Sequence, residues 1–289
     1  MKKIGKLAVI GVGLIGGSFA LALKKRRAVG RVVGVGRSRA NLLTARRLRI
    51  IDEIATDDAA AVADADLVLL AVPAGQMAAV LTRIAPHLGA RTVLTDAGST
   101  KQDVIAAARA ALGPAFARFV PAHPVAGTEN SGARAAFAGL YAGRSLIVTP
   151  EPETDARALR VVAAAWRNIG ARVFKMSAAE HDRVFALISH LPHLVSFALV
   201  GQIADQPDAR TLFGHSGGGF RDMSRIAASS PEMWRDIVLA NRGAVLPALD
   251  AYLQETRTLR DLIAVGDGAG LEARFTRARE ARRRWLKEK

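Results

Sequence analysis

The run Leu7-Ala8-Val9-Ile10 is followed at once by Gly11-x-Gly13-x-x-Gly16 and then by helix formers through Leu23. That order is the strand–turn–helix opening of a dinucleotide-binding βαβ unit. Gly11 permits the tight turn, Gly13 lets the backbone approach a pyrophosphate, and Gly16 lets helix and strand pack closely. The helix opening at Leu14 and Ile15 turns its free N–H groups toward the phosphates. The same stretch lies between Lys2-Lys3 and Lys24-Lys25-Arg26-Arg27, and Ala20-Leu21-Ala22 resembles an export cleavage site. Glycines inside the stretch and basic residues on both sides argue against export. A second short strand, Arg31-Val32-Val33-Gly34-Val35-Gly36, stands where a βαβ unit places it. The expectation is a cytoplasmic protein with no membrane segment.

An NAD-selective unit carries an acid about twenty residues past the glycines, to bond the ribose 2′-hydroxyl. Here that stretch reads Gly36-Arg37-Ser38-Arg39 and holds no acid. An arginine fork at Arg37, beside Ser38, suits a 2′-phosphate, which favours NADP over NAD. The plainer reading leaves Arg37 and Arg39 as solvated loop charges in an Arg-rich chain.

At 289 residues, half of them hydrophobic, the chain has material for a large core and two domains. The absence of cysteine excludes disulfides, thiolate catalysis and Cys-ligated zinc. The net charge of +15 raises the question of nucleic acid. Its basic residues are scattered, only 5% of residues are aromatic, and no nucleic-acid module is present. A field that draws in an anionic cofactor and substrate accounts for the charge equally well.

Strands are expected at 7–10, 31–35, 67–72, 92–96 and 119–123, with helices near 14–27, 39–48, 59–63, 75–88 and 100–112. Residues 50–56 read as a link. Two further strands, 145–149 and 172–176, flank a helix near 154–169. This alternation calls for a parallel, doubly wound sheet. From about 178 onward helical periods take over, so the expected division is a Rossmann-like domain over 1–177 and a helical domain over 178–289.

Ligands of such sheets lie beyond the carboxyl ends of the strands. The residues found there are Val72-Pro73, Asp96-Ala97-Gly98-Ser99-Thr100-Lys101, and the loop His123 to Gly132, which contains Glu129. Ser99 is a candidate helix cap as well as a site residue. His123, at the end of a strand beside the expected nicotinamide, is a candidate catalytic residue. In the helical half, Glu180-His181-Asp182 precedes Ser189-His190-Leu191-Pro192-His193. His181 and His193 share one side of a continuous helix unless Pro192 kinks it. Zinc is disfavoured, since the HExxH spacing is absent, and no metal is expected. Arg221 and Arg225, one turn apart, are candidates to clamp carboxylates, and Trp234 follows.

The stretches 11–18, 96–101, 123–132, 189–193 and 217–237 together resemble the prephenate/arogenate dehydrogenase family of tyrosine biosynthesis, over nearly the whole chain. The resemblance implies a Rossmann-like domain joined to a helical domain that makes a homodimer, with the active site between them. It implies oxidative decarboxylation of prephenate or arogenate with hydride transfer to NADP or NAD. His123 would accept the proton of the ring hydroxyl, and Ser99 would hydrogen-bond near that hydroxyl and the nicotinamide. Arg225 would pair with a substrate carboxylate and His193 would shape the pocket. Glu129, His181, Asp182, Asp222 and Trp234 match family positions that support the site. Neither a chorismate mutase domain nor an ACT-type domain fits in the chain, so a stand-alone enzyme is expected, with any tyrosine inhibition acting at the active site. The alternative is another two-domain oxidoreductase of the β-hydroxyacid dehydrogenase type, whose mid-chain lysine is not found. A non-catalytic dinucleotide sensor is the remoter alternative.

Overall fold

The computed structural model describes residues 2–128 and 130–288. Its first part alternates as expected: β1 (Ile4–Ile10), α1 (Leu14–Lys25), β2 (Val29–Val35), α2 (Arg39–Arg47), β3 (Glu53–Ile54) and α3 (Asp58–Val62). It continues with β4 (Leu67–Leu70), α4 (Met77–Ile84), β5 (Val93–Asp96), α5 (Gln102–Leu112) and β6 (Phe119–Val120). All six strands run parallel in the order β3-β2-β1-β4-β5-β6. The switch point between β1 and β4 places the glycine loop at the crevice that binds ligands in open α/β sheets.

Parallel strands covered on both faces need unbroken apolar runs. β4 supplies one, Leu67-Val68-Leu69-Leu70, buried along its full length. One face packs on Phe19 and Leu23 of α1, with Tyr141 and Trp166 behind them. The Phe19 and Trp166 rings lie 4.5 Å apart between centroids. The other face packs on Val80, Leu81 and Ile84 of α4 and Val104 and Ile105 of α5.

Two expectations require correction. The link over 50–56 contains an edge strand, β3, whose Glu53 and Ile54 pair with Val33 and Gly34. Two residues are too short a run to show a period of two. The expected strand 119–123 is split between two sheets. Pro121 has no N–H to give a ladder, and there the chain leaves β6 and enters β7 (Ala122–Pro124). β7 pairs antiparallel with β8 (Ser145–Val148), which pairs parallel, across α6 (Ala156–Asn168), with β9 (Arg172–Lys175). His123 is therefore the middle residue of a strand in the second sheet, opposite Ile147.

A buried ion pair joins the two sheets. Asp96, at the end of β5, and Lys101 are both inaccessible to solvent. The Lys101 ammonium donates to Asp96 Oδ2 and, at 3.0 Å, to the carbonyl of Ala122. Asp96 Oδ1 accepts from Ala122 N at 2.9 Å, and Oδ2 accepts from Gly98 N at 2.8 Å. The loop that carries Ser99 and the strand that carries His123 thus hang on one carboxylate.

Beyond β9 the described chain is helical. α7 (Ala178–Phe185) runs through a π-helical turn, Ala186–His190, into α8 (Leu191–Ala204). α9 (Ala209–Gly214), α10 (Gly218–Ser224) and α11 (Pro231–Ala240) follow. By contact density, Met1–Arg242 form one compact unit and Gly243–Lys289 a second. The second holds most of α12 (Arg242–Val265) and all of α13 (Gly268–Lys287), and there Arg274 donates to both carboxylate oxygens of Glu255 at 2.8 and 2.7 Å.

Breaking a buried pair by removing one partner strands the other charge. Lys101→Met is expected to destabilise the fold by about 3–5 kcal/mol. Adding Asp96→Asn should recover part of that loss, as measured by urea unfolding of the single and double variants.

Candidate active site

The glycine loop has the geometry that a dinucleotide requires. Gly11 has φ +96°, and a Cβ there would lie 2.3 Å from the Ala71 carbonyl oxygen. A Cβ on Gly16 would lie 2.4 Å from the carbonyl of Gly11, so strand, turn and helix touch through backbone. At Gly13, by contrast, a Cβ would meet nothing within 4 Å, which leaves the mouth of the cradle open. Gly13 caps α1 without a side-chain bond, and no acid occupies the first turn. The amides at Leu14 and Ile15 stand free for a diphosphate, so the residues fit that group. Val72 lies against the turn, with Cγ1 3.2 Å from the Gly11 Cβ position. Asn41, which sequence reasoning missed, braces the loop. Its amide donates to the Val12 carbonyl at 2.7 Å and its oxygen accepts from Ala133 N at 2.8 Å.

Arg37 and Ser38 follow β2. Ser38 Oγ caps α2 by accepting from Asn41 N at 3.2 Å. The Arg37 side chain is 69% exposed.

At the other end of the crevice a line of hydrogen bonds runs from α5 to His123. Asp182, in α7, accepts the backbone amides of Lys101 at 2.8 Å and Gln102 at 2.9 Å. These amides open α5, so the carboxylate stabilises the helix N-terminus from another element. The expectation that Ser99 caps this helix is corrected: the cap is Asp182, 81 residues from Lys101 in the chain. Ser99 is left half-buried in the loop between β5 and α5. Asp182 Oδ1 also lies 2.8 Å from Nδ1 of His181. His181 Nε2 in turn lies 2.8 Å from Nδ1 of His123.

An ionised Asp182 orders the protons of this line. It accepts from Nδ1–H of His181, whose Nε2 is then an acceptor. His123 must therefore donate from Nδ1 and keep its lone pair on Nε2. Phe185 packs on both rings, at centroid distances of 4.6 Å from His123 and 4.5 Å from His181. Burial, with His181 and Lys101 nearby, holds the His123 imidazole well below the ordinary histidine range. Burial also lowers His181, against the opposing pull of Asp182. Asp182 titrates below the usual carboxylate range: burial alone would raise it, and the bonds from His181, Gln102 and Lys101 outweigh that. His123 is thus a neutral imidazole at physiological pH, 8% exposed.

A second aromatic group lies along the same helix. The π turn before Pro192 breaks the regular phase between His181 and His193, so the two have different partners. A missing Pro N–H and a π turn go together, because the turn re-routes the carbonyls the proline cannot serve. His193 Nδ1 donates to the Ser189 carbonyl at 2.9 Å, and its ring stacks on Trp234 of α11 with centroids 3.5 Å apart. Arg225, exposed just after α10, is near enough to His193 to add to the lowering that burial causes. Arg221 and Asp222 are exposed on α10. Glu129 lies outside the described residues.

Sequence reasoning also missed His190 and Asn241. Asn241 donates to the Asp182 carbonyl at 2.8 Å and to His190 Nδ1 at 3.1 Å. Burial pushes His190 down to about 4. His190 Nε2 and Trp234 Nε1 are buried with no hydrogen-bond partner.

Comparison with known proteins matches this layout. Residues 19–175 fit the family model for the prephenate dehydrogenase nucleotide-binding domain, and residues 177–277 fit the prephenate dehydrogenase dimerization domain. The chain belongs to the prephenate dehydrogenase family. It is 40% identical to a cyclohexadienyl dehydrogenase of Zymomonas mobilis over 96% of this chain and 94% of that one. A crystal structure of Aquifex aeolicus prephenate dehydrogenase with hydroxyphenyl propionate and NAD+ superposes with a TM-score of 0.89 at 34% identity, covering 97% of this chain and 98% of that one. Synechocystis arogenate dehydrogenase gives 0.79 at 28% identity, covering 97% and 99%. Family membership through both halves disfavours the β-hydroxyacid dehydrogenase alternative. An NAD(P)-dependent dehydrogenase with a Rossmann-like domain and a helical one is the result.

The buried neutral histidines carry a stability consequence. His190 has a folded value of about 4 against an unfolded value of about 6.5. Between these the unfolded chain binds more protons, so stability is full above about pH 6.5 and is lost as pH falls toward 4. His190 alone contributes on the order of 3 kcal/mol to this slope. His123 acts in the same direction, while Asp103, raised by burial, opposes it. Urea midpoints across pH 7.5 to 4 should fall steadily, and His190→Gln should flatten the curve.

Proposed function

We propose that this chain oxidises prephenate or arogenate with loss of CO2 and hydride transfer to NAD(P)+, and that His123 is its general base. The observation that carries the reading is the ordered line Asp182–His181–His123, which leaves the lone pair of His123 on Nε2.

The substrate is a cyclohexadienol with a hydroxyl at C4 and a carboxylate at C1. The bound nicotinamide supplies the acceptor for the hydride on C4. His123 Nε2 takes the hydroxyl proton as that hydride leaves, so C4 becomes a carbonyl conjugated to C1. The C1–carboxylate bond then breaks, its electron pair enters the ring, and CO2 departs. The phenolate oxygen recovers the proton from His123. Products are CO2, reduced cofactor and 4-hydroxyphenylpyruvate from prephenate, or tyrosine from arogenate. Aromatisation drives the second step, and a neutral imidazole is what the first requires.

Ser99 serves the hydroxyl and the nicotinamide, Arg225 pairs with a carboxylate, His193 helps shape the pocket, and Trp234 supports the site. Gly11, Gly13, Leu14, Ile15, Gly16 and Val72 hold the dinucleotide. NADP is the favoured cofactor because Arg37 stands where the usual acid is missing. The division between domains is placed at 177/178, supported by the last strand ending at Lys175.

A homodimer is supported by α8. This helix is almost wholly apolar, yet Ser196 is its only buried residue among those described. The adjoining Ile188 is 66% exposed. Such a surface marks an interface. A soluble cytoplasmic protein is the matching reading of the helix over Ala178–Ala204, which is long and apolar enough to cross a membrane but carries His181 and Asp182 into the site.

His123→Asn should lower kcat by two or more decades with little change in KM. Asp182→Asn should cost one to two decades by releasing the proton order; near-normal turnover in the His123 variant would overturn the assignment. Sedimentation should show twice the chain mass, and Val200→Arg on α8 should halve it.

A further inference from the structure

The acid missing from the second βαβ strand is replaced, in space, from another helix. Glu232 stands in the first turn of α11 and brings Oε1 to 3.8 Å from Nη1 of Arg37. Arg37 has a second partner on the loop that follows β4. With the Gln76 amide turned so that its oxygen faces the guanidinium, that oxygen accepts from Nη1 at 2.9 Å and from Nη2 at 3.3 Å. α11 is held at this place by two independent contacts. Asp236 seats its carboxylate on Gly75, where an added Cβ would come within 2.7 Å of Oδ2. Trp234 stacks on His193. Glu232 is therefore positioned by packed neighbours, although its own side chain is 53% exposed.

We infer that Glu232 sets the balance between NADP and NAD, by competing with a 2′-phosphate for the Arg37 guanidinium. The inference rests on the reading that Arg37 faces the ribose 2′-position. A 2′-phosphate brought to Arg37 has to replace Glu232 as counter-ion and also meets its negative charge. A ribose 2′-hydroxyl brings no charge and leaves the pair intact. Glu232 thereby blunts a preference for NADP that Arg37 alone would impose, and keeps NAD usable. Both side chains are more than half exposed, so the effect is several-fold and weakens with salt. Glu232 has a plainer role as a first-turn acid that favours the α11 N-terminus. That role moves stability and leaves the cofactor ratio alone.

The test is direct titration of NADP+ and NAD+ into the full-length protein, by calorimetry or tryptophan fluorescence, at low and moderate salt. For Glu232→Gln the ratio of NADP+ to NAD+ affinity is expected to rise about fivefold at low salt. For Arg37→Ala it should fall tenfold or more, and Glu232→Gln should add nothing to Arg37→Ala. An unchanged ratio in Glu232→Gln, together with a fall in Arg37→Ala, would remove Glu232 as the discriminator. An unchanged ratio in Arg37→Ala would instead overturn the underlying placement of Arg37 at the 2′-position.

Discussion

The carboxylate of Asp182 holds the working parts of this molecule in register. One oxygen meets the Lys101 amide and His181, and the other meets Gln102 through both backbone and side chain. A helix N-terminus offers several unpaired amides and a partial positive charge. Here they are satisfied by an acid from α7, so the start of α5 and the middle of α7 become one structure. The same acid orients the imidazole next to it. Stability and proton order therefore depend on the same two oxygen atoms.

The second fixed point lies just below it. Lys101 follows the Ser99 loop, and its ammonium reaches Asp96 and the Ala122 carbonyl. Asp96 also holds the amide of Ala122, the residue before His123. His123 is thus gripped from both directions, through its neighbouring backbone by the β5 carboxylate and through its ring by His181. Loss of either grip leaves buried polar groups unpaired, and such groups are costly in a low-dielectric interior. An imidazole built into the middle of β7 inherits the rigidity of a strand, which suits the proposed role of one proton acceptor at one place.

Much of this was legible in the residues themselves. Gly11, Gly13 and Gly16 announce the first βαβ unit because a turn, an open cradle and a close packing each demand the absence of a side chain. Leu67–Leu70 reads as a buried strand because nothing polar interrupts it. His123 stood out because it closes an apolar run beside a glycine-containing loop. Other features depend on contacts far apart in sequence, and no local pattern carries them. The capping of α5 joins residues 81 apart, while Ser99 offered a plausible local cap that the fold does not use. Asn41 looks like any residue of an exposed helix until its amide is found bridging Val12 and Ala133. The π turn at Ala186–His190 re-phases the helix between His181 and His193, and only Pro192 hinted at it.

α11 shows how the two ends of the crevice share one support. Its Glu232 meets Arg37, its Trp234 stacks on His193, and its Asp236 packs on Gly75, all within five residues. Its capping residue Asn241 reaches back to the carbonyl of Asp182 and to His190. Because Asn241 donates to His190 Nδ1, the proton of that ring sits on Nε2, an atom left without an acceptor. The indole N–H of Trp234 is unpaired in the same way. Both are donors and both are buried. A buried N–H without an acceptor costs free energy, so the packing of α11 on the helix that carries His181 and His193 is kept against that cost.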